Sequence, residues 1–315
     1  MKVISPFALG ATLYMPATRG DMLDMVFGSK LPELRSLVVC LEDAVAEIDV
    51  EHALANLQAL LARIDARGGR PVDGPLLFVR PRDAEMGAVL NDWPLMKHVD
   101  GFVVPKLTLN SLRRWERAVD NPDLLLMPTL ETADVYNPGA MVELGQALKA
   151  SLNERILALR IGGNDLMGCL GLRRHPARTL YDTPMSYVIP MLAGVMGAQG
   201  FSLTAPVFEQ LATPALLTAE LELDIAHGLV GKTAIHPRQI SLIQDALRVS
   251  LEDLNTARLI VDRDARAVFK HNDAMCEPAT HHKWATHILE RAKWLGVKPA
   301  EAAGGEPNIR LAEVS

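Results

Sequence analysis

Eight short apolar runs, each closed by a turn and followed by a helical pattern, constrain this chain more than any other feature. They are ATLYMP (11–16), SLVVCLED (36–43), PLLFVRPR (75–82), GFVVPK (101–106), LLLMPTLET (124–132), ILALRIGGND (156–165), FSLTAPV (201–207) and GKTAIHP (231–237). Most are almost continuously apolar, the pattern of parallel strands covered by helices rather than of strands with one wet face. The segments between them read as helices. Val50, Leu54, Leu57, Leu61 and Ile64 form one apolar stripe, which Gly68 and Gly69 stop. Asn110 is a candidate N-cap for the helix that follows the fourth run. Pro214 suits a first helical turn that runs on to Gly228, and Pro237 opens another helix. Eight strand–helix units predict an α/β fold, a (β/α)8 TIM barrel. A doubly wound open sheet is the runner-up, but the first turn, PATRGDM, lacks G-x-G-x-x-G, and no P-loop pattern occurs.

Beyond about residue 249 the alternation ends. VSLEDLNTARLIVDRDA and EPATHHKWATHILERAKWLG read as two helices joined by the loop KHNDAMCEP, with no strand between. The expected organisation is therefore a catalytic barrel over 1–249 and a C-terminal helical extension or lid over 250–315, whose last stretch is a mobile tail. Of the 315 residues, 49% are hydrophobic and 22% charged, an ordinary globular balance with ample apolar side chain for a large core. The net charge of −6 gives no reason to expect nucleic acid or an anionic membrane as partner. Three dispersed cysteines fit a reducing compartment. No apolar run reaches the roughly 18 residues of a membrane span. The apolar N-terminus, broken by Pro6 and Gly10, reads as a first strand with its lead-in rather than a signal peptide, so a cytoplasmic location is expected.

Barrel enzymes place catalysis at the C-terminal ends of their strands, and here those ends carry chemistry. In order they present Arg19, Glu42–Asp43, Arg80 and Arg82, Lys106, Glu131, Arg160 with Asp165, and His236. A single charge at a strand end is usually just where the chain meets water; acids and bases repeated around one rim are harder to dismiss. Arg80 and Arg82 are two apart, so on a strand they share a side. Glu131 and Asp165, on neighbouring strands, supply the pair of oxygen ligands that Mg²⁺ asks for, since that ion keeps waters and substrate oxygens beside one or two carboxylates. Zinc spacing is missing, because His281 and His282 are adjacent; a solvated helix explains them better. Lys106 could form a Schiff base, but beside several carboxylates it should remain protonated. His236 serves either the site or the backbone of its turn.

The ordered set Arg19, LEDAV (41–45), FVRP (78–81), VVPK (103–106), LET (130–132), GGND (162–165) and GKTAIHPRQI (231–240) resembles the citrate lyase β-subunit-like group of the HpcH/HpaI aldolase superfamily. Typical members show D-L-E-D-A-V, R-x-N, P-K, I-E-T, G-x-x-D and G-K-x-x-I-H-P in this order. LYMPATR, RIGGNDL, RTLYDTP, LTAPVFE and MCEPATH are most similar to the C–C bond lyase-like proteins of tellurite-resistance and related biosynthetic gene clusters. The resemblance implies a Mg²⁺-binding (β/α)8 barrel, trimeric or hexameric, that breaks or makes a C–C bond next to a carbonyl, often in acyl-CoA thioesters. It implies that Glu131 and Asp165 hold the metal and that Arg80 contacts the substrate carboxylate or keto oxygen. It further implies that Glu42 and Asp43 support the metal waters and that arginine, and that the C-terminal helices cover an active site, in some members a neighbour's. The general base stays open among metal-bound water, Glu42, Asp262, Asp264 and Asp273.

Three departures from the family pattern stand out. Arg82 replaces the amide of R-x-N, Arg160 adds a cation inside the sixth strand, and Asn164 stands where an acid is usual. Together they predict a more positive rim, with Arg19, Arg82, Arg160 and Asn164 joining Arg80 in binding a strongly anionic small-molecule substrate, phosphorylated forms included. Hydrolysis or condensation of an acyl thioester on the same barrel is the rival enzymatic reading. A non-catalytic metal-binding scaffold is the other.

Overall fold

The computed structural model describes residues 4–299, which include two compact units, one running to Leu247 and one starting at Arg248. In the first, eight parallel strands follow one another: β1 (Gly10–Pro16), β2 (Ser36–Cys40), β3 (Leu76–Arg80), β4 (Gly101–Val104), β5 (Leu125–Leu130), β6 (Leu159–Ile161), β7 (Leu203–Thr204) and β8 (Gly231–Ala234). Each pairs with its predecessor from β2 to β7, and β8 pairs with β1. The last seam is closed by a parallel bridge between Ala205 and Lys232, with Ala205 N donating to Gly231 O at 2.7 Å. The architecture is therefore the (β/α)8 barrel. Strands six and seven are shorter than the apolar runs suggest. Pro206 cannot continue the ladder beyond Ala205, and Gly162–Gly163 turns the chain directly into a helix after Ile161.

Around the barrel stand α1 (Met22–Val26), α2 (Val50–Ala66), α3 (Ala84–Asn91), α4 (Leu109–Ala118), α5 (Pro138–Ser151), α6 (Gly163–Cys169), α7 (Met185–Ala198), α8 (Pro214–Ala226) and α9 (Arg238–Leu247). α2 buries Ala53, Leu57, Leu60, Leu61 and Ile64, while Val50 and Leu54 sit at the edge of that stripe. Each fully buried leucine or isoleucine contributes about 1.5–3 kcal/mol relative to exposure, an upper bound. The helix stops where Gly68 and Gly69 adopt φ of 80° and 115°. The N-cap of α4 is Thr108 rather than Asn110: its hydroxyl accepts from Ser111 N while the Ser111 hydroxyl accepts from Thr108 N, a reciprocal cap that Asn110, already inside the helix, cannot form.

The barrel interior changes character from bottom to top. Leu9, Val38, Phe78, Val103 and Met127 form an apolar plug. Two residues further along the same faces, Phe78 gives way to Arg80, and Met127 to Thr129 and then Glu131. An apolar floor, a hydroxyl layer and a charged rim thus follow from strand alternation alone.

In the second unit, α10 (Leu251–Val261) and α11 (Pro278–Leu295) pack over Val249, Leu254, Ala257, Ile260, Ala285 and Ile288. The segment between them is not a plain loop. β9 (Phe269–His271) and β10 (Ala274–Cys276) form an antiparallel hairpin whose turn residues Asn272 and Asp273 take φ of 47° and 58°, a conformation both tolerate well. The tail expected to be mobile falls mostly in 300–315, outside the described residues. Among the described residues no helix is long and apolar enough to cross a membrane.

Candidate active site

Strand ends deliver the charged residues to one place. Arg80 closes β3; Glu42 and Asp43 follow β2 by two and three residues; Lys106 follows β4 by two; Glu131 comes directly after β5. Asp165 arrives differently from the expectation that it ends strand six. It lies in the first turn of α6, where the helix dipole favours a carboxylate.

Arg80 is the centre of the cluster and is only 8% exposed. Its Nη2 lies 2.9 Å from Glu131 Oε1, 2.7 Å from Glu42 Oε2 and 3.6 Å from Asp43 Oδ2. Its Nε is buried with no hydrogen-bond partner. Lys106 adopts φ of 48°, which aims its backbone N–H at Glu131 Oε1, 2.8 Å away. Its ammonium meets Glu42 Oε1, Asp43 Oδ1 at 3.2 Å and Asp165 Oδ1 at 3.8 Å. Burial pulls the Lys106 ammonium down, but Glu42 and Asp43 overcome it and hold Lys106 above the usual lysine range. Held so, it stands among these carboxylates as a cation.

The carboxylates are driven apart. Burial pushes Glu131 up to about 7, with Arg80 opposing and Asp165 adding repulsion. Burial and a hydrogen bond shared with Asp43 raise Glu42. Burial works upward on Asp43 too, but the same shared hydrogen bond and the charges of Lys106 and Arg80 bring it below its ordinary value. Burial raises Asp165, against the pull of Lys106.

Beside this cluster lies a cavity of about 670 Å³, whose lining includes Tyr14, Arg80, Thr129, Glu131, Arg160 and Asp165. Asp43, Asn164, Glu209 and Thr233 also face it. Tyr14, Thr129 and Thr233 carry no charge and were not marked out by the sequence. The available signal was the strand period, because Thr129 shares the face of Glu131 two residues away.

The more positive rim does not form. Arg82 is outside the cavity lining: it donates to Val45 O at 2.9 Å and pairs with Glu47 Oε2 at 2.7 Å. It lies beyond the end of β3, so strand alternation no longer governs its direction. Arg19 is exposed and bidentate to Asp21, likewise away from the lining. Asn164 Nδ2 donates to Glu209 Oε1 at 3.2 Å. Only Arg160 of the three departures brings a cation to the cavity. His236 serves its turn, with Nδ1 accepting from Arg238 N at 3.1 Å. Asp262, Asp264 and Asp273 are exposed residues of the second unit.

Lys232, in the GKTAIHP run, is fully buried. Its ammonium bonds Glu220 Oε1 at 2.9 Å and Asp224 Oδ2 at 2.7 Å. Arg174 donates to Glu220 Oε2 at 2.6 Å and to Val207 O at 2.6 Å. This closed set of two cations and two anions ties the 170–184 segment to α8 and to the cavity wall at Val207.

Among the described residues no three His, Cys, Asp or Glu side chains surround a common point. Zinc-type coordination is therefore unsupported, whereas Mg²⁺ needs only one or two carboxylates. Glu131 suits it. Oε1 is committed to Arg80 and Lys106, and Oε2 turns toward Gly162, where an added Cβ would come within 2.4 Å of it. A glycine there keeps that oxygen's place open. Four carboxylates, of Asp43, Glu131, Asp165 and Glu209, line the cavity against the two guanidiniums of Arg80 and Arg160, so one more cation is electrostatically welcome.

A family model described as C–C bond lyase of the TIM-barrel fold matches residues 3–297. The chain is 27% identical over 279 residues to a citrate lyase subunit beta-like protein of Deinococcus radiodurans, covering 85% of this chain and 90% of that protein. It is 26% identical over 247 residues to (3S)-malyl-CoA thioesterase of Cereibacter sphaeroides, covering 78% and 80%. CitE from Mycobacterium tuberculosis, solved in complex with magnesium, acetoacetate and coenzyme A, superposes with a TM-score of 0.65 at 22% identity, covering 91% of this chain and 99% of that one.

Proposed function

The chain belongs to the C–C bond lyase family of the TIM-barrel fold, and from that premise we propose that it is a Mg²⁺-dependent carbon–carbon lyase acting next to the carbonyl of an anionic oxo- or hydroxy-acid. The observation that carries the reading is the convergence of Glu131, Asp165 and Arg80 on one cavity. Glu131 and Asp165 would hold the metal, which, when bound, supplies Lewis-acid polarisation of a substrate oxygen and orients the substrate. The magnesium of the CitE complex supports that choice of ion.

The chain's own residues supply the rest. Cleavage of the C–C bond sends its electron pair toward the neighbouring carbonyl, and negative charge develops on that oxygen. Arg80, fixed by two carboxylates and with its Nε unpaired, provides a preorganised positive charge and a free donor for it. The hydroxyl proton of the other fragment needs an acceptor. Asp43 is the member of the Glu42–Asp43 pair that opens on the cavity, and Lys106 holds it ionised at 3.2 Å. Asp43 takes the proton, and Glu42 keeps Arg80 and Lys106 in place.

Thioesters enter as substrate forms because the CitE complex contains coenzyme A, and the (3S)-malyl-CoA thioesterases favour hydrolysis as the second reading. A homo-oligomer, trimer or hexamer, and a cytoplasmic location complete the proposal. The test is turnover with Mg²⁺ across oxo-acids, hydroxy-acids, their phosphorylated forms and acyl-CoA thioesters, with product analysis. Two carbon fragments support the lyase; one acid plus free thiol supports hydrolysis. No Mg²⁺-dependent turnover of any kind sinks both.

A further inference from the structure

Arg160 is among the largest fully buried side chains, 2% exposed, inside the barrel. A buried guanidinium is costly unless an anion answers it. The other cations of the site have such partners: Arg80, which lines the cavity, has Glu42 and Glu131, and Lys106 beside it has Glu42, Asp43 and Asp165. Arg160 has none among the described residues. Its Nη2 donates to Thr233 Oγ1 at 2.5 Å, its Nη1 reaches Thr12 Oγ1 at 3.5 Å and Met127 Sδ at 3.8 Å, and the Tyr14 hydroxyl is a further hydrogen-bond partner. Its guanidinium lies over the Tyr14 ring, 5.1 Å from the centroid. Every partner is neutral.

The surroundings point the same way. Thr129 and Thr204 are the register partners of Arg160 on β5 and β7. The hydroxyls of both are buried and make no hydrogen bond. Thr129 and Thr233 line the same cavity as Arg160. A lone cation ringed by hydroxyls, two of them unpartnered, is a donor set that lacks its acceptor.

We propose that Arg160, with Thr129 and Thr233, is a second oxyanion subsite in the floor of the cavity, and that the substrate is a short dianion whose far carboxylate or phosphate binds there. The assignment rests on reading this cavity as the substrate site. Thr129, in β5, lies two residues before Glu131, which directly follows the strand; both line the cavity, roughly 6–7 Å apart along the chain. The two acidic ends are therefore separated by only a few bonds, as in a four- or five-carbon diacid or its phosphorylated counterpart. The part of a larger substrate that enters the barrel, a thioester's acyl group included, would end in an acid.

The experiment is equilibrium titration, with Mg²⁺ present, of succinate, butyrate and 3-phosphonopropionate into wild type, Arg160→Met and Arg160→Lys. Wild type is expected to bind a dianion about ten- to a hundredfold more tightly than butyrate. Which dianion binds better separates carboxylate from phosphate. Arg160→Met should lose the preference and leave butyrate unchanged, and Arg160→Lys should recover part of it. Replacing an unpaired buried cation by an apolar side chain should not lower the melting temperature. Thr129→Val, which leaves the cation in place, provides a second reading through a weaker but specific loss of dianion affinity. Equal binding of succinate, 3-phosphonopropionate and butyrate by wild type, or an undiminished preference in Arg160→Met, overturns the subsite. Because the readout is binding, absence of turnover would sink the lyase reading and leave the subsite standing.

Discussion

Arg80 and Glu131 meet through one oxygen only: Arg80 Nη2 lies 2.9 Å from Glu131 Oε1, the same oxygen that accepts from Lys106 N. The other oxygen is left facing Gly162. Glu131→Gln should therefore lose Mg²⁺ binding in a calorimetric titration while keeping its fold. Asp165→Asn should weaken it by about tenfold or more, the scale of one charged ligand lost. Wild-type affinity in Glu131→Gln would remove the metal site from this cavity.

Gly162→Ala tests the same oxygen from the opposite side. A Cβ would come within 2.4 Å of both Glu131 Cβ and Oε2, so the side chain must move. Mg²⁺ affinity should fall by about tenfold or more, since the carboxylate leaves its place. Unchanged affinity would mean that Oε2 is not the ligating atom.

Lys106 is held protonated by Glu42 and Asp43 through neutral pH, because its folded value lies above the usual lysine range. Borohydride added during turnover should trap no adduct, as judged by intact mass. A substrate-sized mass increase on Lys106 would replace the charged role with Schiff-base chemistry.

Arg82 and Arg160 should separate cleanly. Arg82 braces the 41–47 segment that carries Glu42 and Asp43, through Val45 O and Glu47. Arg82→Ala should lower kcat by roughly tenfold, as for loss of an outer support, with the ratio of dianion to monoanion affinity unchanged. A collapse of that ratio would return Arg82 to the substrate.

The barrel was legible in the sequence because eight parallel strands buried on both faces leave continuous apolar runs. Glu42, Arg80, Lys106 and Glu131 were legible because each closes or follows a strand. What strand ends cannot convey is direction beyond the last ladder residue. Arg82 reads as a neighbour of Arg80 but turns to Glu47, and Arg19 folds back on Asp21. Thr129 and Thr233 escaped because a threonine on a strand is ordinary; their importance comes from Arg160, which reaches them across the barrel. The hairpin of β9 and β10 escaped because three-residue strands leave no measurable period. Lys232 was not singled out, because a lysine inside a short strand carries no sign of the partners that enclose it, 8 and 12 residues earlier in the chain.

Removing one member of the Lys232–Glu220–Asp224–Arg174 set should cost about 3–5 kcal/mol in denaturant unfolding, since each leaves a buried charge exposed to its own kind or to nothing. The loss in Lys232→Met should be partly recovered by adding Asp224→Leu, and failure of any recovery would show that the charges do not act as a set.

That interdependence also shapes how the chain can change over time. Each of the four is tolerable only in the company of the others, so single replacements start from a handicap and paired replacements do not. Related proteins should therefore differ at these positions in concerted steps or not at all. The segment from 170 to 184, moored to the barrel through Glu220, is free to vary in its exposed residues while its anchor stays put.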